Sequence, residues 1–269
     1  RNLCSEHMGV CPGKCIQKDD SMSQAVQTIA HPKLGLTSVF QFPSGLLTVY
    51  AKKMKASNGE SSWRLSAETL APNRKWITAH HVHGNRILNS SNYDDEKSNG
   101  PGADGFVCDD VLDTNERGKS SGIVVFGADC PALAIDTGTV FGTAHCGWKP
   151  TAKGIVENLV GELLSSTSDP KKIETWQCYI GPGICGKCYE VDSPVLNSCP
   201  WPDAAVFWRK GDKSGLDLKT AIQEKLVALG IPRQNITVSK ECTFVTQHWH
   251  SYRRTHMKGN SQIFLTFRP

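Results

Sequence analysis

No run of about 18 apolar residues occurs in this 269-residue chain, so no membrane-spanning helix is expected. Charge of one sign is also lacking. The formal net charge is only +4, and basic residues occur as pairs such as Lys52-Lys53 and Arg253-Arg254 rather than as runs. A nucleic-acid partner is therefore not expected. Internal repeats, low-complexity tracts and a convincing linker are all missing, which favours one domain over an array. The glycine-rich Gly181-Pro-Gly-Ile-Cys-Gly186 does not end in Gly-Lys-Ser/Thr and is no P-loop. What remains is the composition of an ordinary globular protein, 39% apolar and 21% charged, long enough to bury a full core.

Cysteine is not scarce. Eleven thiols cannot all pair within one chain, and a domain of this size needs no disulfides. Cys185-Gly-Lys-Cys188 has the spacing of half a zinc knuckle, while Cys4, Cys11 and Cys15 cluster far away near the N-terminus. A four-cysteine zinc site wants two matched pairs, so reduced thiols in a cytoplasmic protein are the favoured reading. A disulfide near the N-terminus stays open. So does a tag, a truncation or a removed targeting segment, because the chain begins with Arg1.

The chain is organised around Gly122–Asp136 and Val140–Trp148. Short apolar runs bounded by Gly, Pro and Asp predict buried strands, with Cys130 and His145 delivered near strand ends. Apolar residues at Ile155, Leu159, Val160, Leu163 and Leu164 predict a helix over 151–166 directly afterwards. Cys130 and His145 read equally well as core residues, since free cysteine is among the most buried types. A hairpin is expected over 35–54 with its turn at 43–45, a short helix near 65–70, and a strand over 76–84 whose alternation puts His81 and His83 on one face. Further strands are expected at 174–180, 236–239 and 262–267, and a helix over 216–229 ending at Gly230.

Eight short motifs, in order, carry a resemblance. His83-Gly84, Ala128-Asp-Cys-Pro131, Ala144-His-Cys-Gly-Trp148, Ile180-Gly-Pro182, Cys188-Tyr-Glu-Val191, Leu216-Asp-Leu218, Cys242-Thr243 and Ser251-Tyr-Arg-Arg254 together resemble the YfiH family. Its members were once labelled multicopper polyphenol oxidases (laccases) and are now regarded as purine nucleoside phosphorylases. The likeness spans about residues 80–268; the first 75 residues lack the family's glycine- and arginine-bearing segment. His81, Cys146, Lys149 and His250 stand where the family usually has Gln, Ala, Arg and Phe.

The resemblance implies an α+β single domain of mixed sheets flanked by helices, over 35–269, preceded by a divergent extension over 1–34. It implies a zinc site at His83, Cys130 and His145, a ligand set that leaves a fourth position for water or substrate. Phosphorolysis of adenosine, inosine, guanosine or methylthioadenosine is the implied reaction, with adenosine deamination as a companion. Lys149, Arg253 and Arg254 are the candidates for phosphate, and Asp129 is a candidate for proton transfer or ligand orientation. The H-x-E and P-C-x-x-C pattern of classical zinc deaminases is missing.

Three rival readings share these residues. A copper oxidase would use the pairs His81-Val-His83 and His248-Trp-His250, although nine histidines are few for a laccase. A Cys-His hydrolase or amidase would take Cys130 as nucleophile and His145 or His83 as base. A non-enzymatic scaffold would leave the ligands without a task.

Overall fold

Alternate residues of strand Gly122–Gly127 enter two different cores. Ile123 and Val125 pack with Phe40, Tyr50, Phe106, Phe141 and Tyr179, whereas Val124 packs with Val49, Ala51, Ala67, Ile263 and Leu265. Strand Ala132–Asp136 shows the same period of two: Ala132 and Ala134 join the first cluster, and Leu133 and Ile135 join a third with Ile155, Leu159, Ile222 and Leu226. Both strands are thus buried on both faces, which is why they read as continuous apolar runs.

The computed structural model describes residues 26–55, 61–92, 102–109, 121–167, 170–257 and 261–269. Cys4, Cys11 and Cys15 lie outside them. Two six-stranded sheets face each other. The first runs Gln27–His31, Gly35–Gln41, Leu47–Lys52, Gln262–Phe267, Gly122–Gly127, Trp76–Ile77. The second runs Ile236–Val238, Gln177–Ile180, Ala132–Asp136, Val140–His145, Gly105–Asp109, Ile87–Asn89. Both are mixed, with parallel pairs at their edges. Helix Trp63–Leu70 covers the outer face of the first sheet through Ala67. Helices Ile155–Ser166 and Leu218–Ala228 cover that of the second. The α+β sandwich expected from the sequence is therefore the fold. Among the described residues no helix is long and apolar enough to cross a membrane.

Three local expectations are corrected. Residues 27–31, assigned by sequence to the N-terminal extension, form the edge strand paired with Gly35–Gln41. The strand expected over 76–84 ends at Ile77, and residues 78–84 run on without regular structure. The helix expected over 151–166 is two helices, Trp148–Ala152 and Ile155–Ser166, separated at Gly154, whose φ of 89° interrupts helical geometry.

Consecutive strands Gly122–Gly127 and Ala132–Asp136 lie in different sheets. The four residues 128–131 therefore cross from one layer to the other, and the crossing is tight. A Cβ on Gly127 would stand 2.5 Å from the carbonyl oxygen of Cys130, and Asp129 takes a left-handed φ of 87°.

Candidate active site

Antiparallel register fixes the heart of the site. Ala132 is paired with His145, and Cys146 N–H donates to the Pro131 carbonyl at 2.9 Å. Cys130, two residues upstream of Ala132, is thereby brought against the end of the strand that carries His145. Its thiol lies near enough to the His145 ring to favour positive charge there. Trp148 opens the next helix at Gly147, where there is no room for a side chain. A Cβ there would lie 2.8 Å from Cys130 Sγ and 3.3 Å from His145 Nε2, so these two atoms converge on one point.

The other side of the His145 ring is held by a residue that no sequence pattern singled out. Asp104 immediately precedes strand Gly105–Asp109, whose neighbour is Val140–His145. His145 Nδ1–H donates to Asp104 Oδ1 at 3.0 Å, and His145 N–H donates to the Asp104 carbonyl at 2.7 Å. The same carboxylate accepts backbone N–H groups from Val82 (3.2 Å), His83 (3.2 Å) and Gly84 (2.8 Å). Burial opposes its ionisation, but the bonds from His145 and Gly84 hold its pKa below the usual carboxylate value. No motif announced Asp104; an aspartate before a short strand carries no signal until the neighbouring strand is in place.

Wrapping around Asp104 explains why the chain leaves the sheet after Ile77. His83 sits at φ 54° on this wrap, exposed, with its carbonyl bonded by Lys153 Nζ at 3.2 Å. Its ring centroid is 5.3 Å from that of His145, nearly perpendicular. His81 does not share its setting: the His81 ring is inside, stacked on His145 at 4.7 Å. His81 Nε2 is buried with no hydrogen-bond partner among the described residues. Burial and the neighbouring His145 push its pKa down to about 3, so the ring is neutral. Burial also opposes charge on His145, but the bond with Asp104 and the neighbouring Cys130 thiol outweigh it and push that pKa up to about 9.

Among the described residues, one grouping in this region has the spacing to hold an ion. His81, Asp104 and His145 present atoms within 4.8 Å of one another. Asp104, however, is already occupied by four hydrogen bonds. The expected set of His83, Cys130 and His145 is not drawn together to that spacing, although it shares His145, and Cys130 Sγ and His145 Nε2 both approach Gly147. A soft thiolate with imidazole suits zinc or copper.

His83, Cys130 and Gly147 line a cavity of about 660 Å³, walled by Trp148, Ile184, Tyr189 and Tyr252 and bordered by Lys149 and Arg253. Its size is that of a small-molecule pocket. None of the ring residues was singled out from sequence. Burial raises the Tyr189 pKa, so its hydroxyl stays protonated, and the Arg253 guanidinium lies 5.0 Å from its ring centroid. Arg253 Nη1 also donates to the Glu190 carbonyl at 2.7 Å. Arg254 faces elsewhere: it donates to the carbonyls of Thr243 (2.8 Å), Phe244 (2.7 Å) and Trp249. Asp129 contributes to the cavity wall, yet its carboxylate accepts from Thr243 Oγ1 (2.7 Å), Ser251 Oγ (3.0 Å) and the Arg253 N–H (2.7 Å). It fixes the segment that carries Arg253.

Comparison with known proteins places this geometry in a family. Residues 49–267 match the family described as multi-copper polyphenol oxidoreductase laccase. Purine nucleoside phosphorylase YlmD of Geobacillus stearothermophilus is 34% identical over 223 residues, 76% of each chain. A protein named adenosine deaminase RL5, from an unknown prokaryotic organism, is 30% identical over 141 residues, 50% of this chain and 52% of its own. Among solved structures, that of YlmD from Geobacillus stearothermophilus superposes with a TM-score of 0.72 at 21% identity, covering 91% of this chain and 99% of that one. The Bacillus licheniformis hypothetical protein YfiH gives 0.73 at 20% identity, covering 90% and 99%. These structural likenesses concern the fold.

Proposed function

The chain belongs to the multi-copper polyphenol oxidoreductase laccase family, and on that footing we propose that it is a zinc-dependent purine nucleoside phosphorylase. It would split adenosine, inosine, guanosine or methylthioadenosine with phosphate into free base and ribose 1-phosphate, with adenosine deamination as a companion activity. The observation that carries this reading is the convergence of Cys130 Sγ and His145 Nε2 on one point at a cavity that also has cations and aromatic rings on its wall. Relatives named purine nucleoside phosphorylase, and one named adenosine deaminase, supply the reaction class.

His83, Cys130 and His145 would hold the metal, with Asp104 keeping the proton on His145 Nδ1 while Nε2 gives up its own to the solvent and offers its lone pair. When bound there, zinc supplies a Lewis acid. Lys149 and Arg253 give phosphate its counter-charge, Arg253 through its planar fork. Trp148, Tyr189 and Tyr252 offer ring faces on which a purine stacks. Asp129 acts by position, holding the Arg253 backbone against the cavity. Arg254, spent on three carbonyls, holds the 243–249 loop rather than phosphate.

One observation favours a second reading. Cys130 stands beside His145, and His145 is hydrogen-bonded to Asp104, so nucleophile, base and orienting carboxylate follow one another as in a thiol hydrolase or amidase. Metal dependence separates the two, because a thiol hydrolase survives chelation. The His₂Cys set also accepts copper, so metal analysis of the purified protein comes first.

The test is incubation of the metal-analysed protein with adenosine, with and without phosphate, beside Cys130→Ala. Phosphate-dependent adenine and ribose 1-phosphate, lost in the variant, are the expected products. Inosine alone, formed without phosphate, would reduce the enzyme to a deaminase. No turnover despite one bound zinc would remove the nucleoside reading altogether.

A further inference from the structure

The sequence offers Cys185-Gly-Lys-Cys188 as half a metal knuckle with no matching half nearby. The fold supplies a third thiol. Cys242 lies buried beside the knuckle, and the three sulfur atoms all fall within 4.8 Å of one another. The contact is built into the backbone. Gly183 and Cys242 form an isolated parallel bridge, Thr243 N–H donates to the Gly183 carbonyl at 3.2 Å, and Cys185 N–H donates to Cys242 Sγ at 3.3 Å. Within the knuckle, Cys188 N–H and Tyr189 N–H both donate to the Cys185 carbonyl at 2.9 Å, closing the turn that points Cys185 and Cys188 the same way.

We propose that Cys185, Cys188 and Cys242 form a second metal site, a three-thiolate site for a zinc-class d¹⁰ cation, separate from the cavity.

A tetrahedral ion with bonds of about 2.3 Å to sulfur sets its ligands roughly 3.8 Å apart, so the present spacing closes on an ion by small side-chain rotations. Three thiols this close cannot all ionise without a counter-charge; the cation supplies it, and each thiol releases one proton on binding. The Cys185 N–H aimed at Cys242 Sγ is the donor such a thiolate needs. Cys185 and Cys188 are half-buried rather than sealed, which leaves a path inward and a fourth position for solvent. A disulfide accounts for two of these sulfurs and leaves the third without a reason to be there. A metal uses all three.

None of the three thiols lines the cavity, but their chain neighbours do: Ile184 and Tyr189 form its wall. Ile184 N–H donates to the Asp129 carbonyl at 2.9 Å, and Thr243, next to Cys242, donates to the Asp129 carboxylate. An ion here ties the 183–189 turn to the 242–254 segment, and so fixes the part of the cavity wall formed by Ile184 and Tyr189. That role does not depend on which reaction the cavity performs.

Cobalt is the probe, because its sulfur-to-metal charge-transfer absorption counts thiolates. Reduced full-length Cys130→Ala protein, which lacks the thiol at the cavity, is titrated with Co²⁺ and then with Zn²⁺. Saturation at one equivalent with a three-thiolate band, displaced by zinc, is expected. In the same background, Cys185→Ser and Cys188→Ser are each expected to lose a third of the band and to weaken binding at least tenfold. Both positions are half-buried, and circular dichroism checks that each variant folds. Failure of Cys130→Ala to take up cobalt would overturn the proposal. So would uptake unchanged by either serine variant.

Discussion

His145 Nδ1 lies 3.0 Å from Asp104 Oδ1, and the two residues belong to adjacent strands of the second sheet or its immediate approach. The bond fixes which nitrogen of His145 faces Cys130. Asp104→Asn keeps the shape but removes the ionised acceptor. Metal affinity is expected to fall about 10- to 100-fold, the usual cost of losing the carboxylate behind a ligating imidazole. Competition with a chelating dye measures it; an unchanged affinity would detach Asp104 from the site.

Gly147→Ala tests the convergence itself. The backbone at Gly147, φ −65° and ψ 171°, is one alanine adopts without strain. The added methyl would stand 2.8 Å from Cys130 Sγ and 3.3 Å from His145 Nε2. We expect bound zinc to fall by about one equivalent, leaving that of the three-thiolate site, while the melting temperature of the metal-free protein shifts little. Normal zinc content with normal turnover would show that the ion, if held, is elsewhere.

Asp129 separates positioning from proton transfer. Asp129→Ala deprives Thr243, Ser251 and the Arg253 N–H of their acceptor and places alanine at a left-handed φ. A loss of about 3 kcal/mol in unfolding free energy is expected from the unpaired donors alone. Asp129→Asn, which tolerates that φ, is expected to recover part of it and to show a raised KM for phosphate with a smaller change in kcat. A collapse of kcat alone, at unaltered stability, would instead assign Asp129 to proton transfer.

Lys149 and Arg254 are expected to part company. Lys149→Met leaves the fold intact, because Lys149 is exposed and its ammonium group rests near the Trp148 ring, 5.4 Å from the centroid. Its effect should be a rise of about tenfold in the KM for phosphate, from loss of one charge contact. Arg254→Met strips three carbonyls of their donor and is expected to destabilise by about 2–4 kcal/mol. Steady-state kinetics and denaturant melts on both variants check the pair. An Arg254→Met protein of full stability and raised KM would return Arg254 to the phosphate.

Much of this was legible because period-two burial is written into composition. Strands such as Gly122–Gly127 and Gln262–Phe267 are apolar at nearly every position that meets a core, and the turn at Gly45, with φ 91°, is announced by Pro43-Ser-Gly45. Helix Leu218–Ala228 ends where Gly230 and Pro232 say it must. The strand expected through His83 failed for a reason no pattern contains. Asp104, a distant residue, draws three consecutive N–H groups around itself and bends the chain away. The partnership of Cys242 with Cys185 was invisible for a related cause, since it exists only after the 183–189 turn meets Cys242. Local patterns set the elements. Contacts between residues far apart in sequence set the site.

The four residues 128–131 step from one sheet to the other, and Cys130 rides on that step while His145 is anchored in one layer only. On the side of the second sheet the step is pinned, because Cys146 N–H donates to the Pro131 carbonyl and Ala132 pairs with His145. Sulfur and imidazole therefore keep their spacing through one strand pair, and a change in the first sheet reaches Cys130 only through residues 128 and 129.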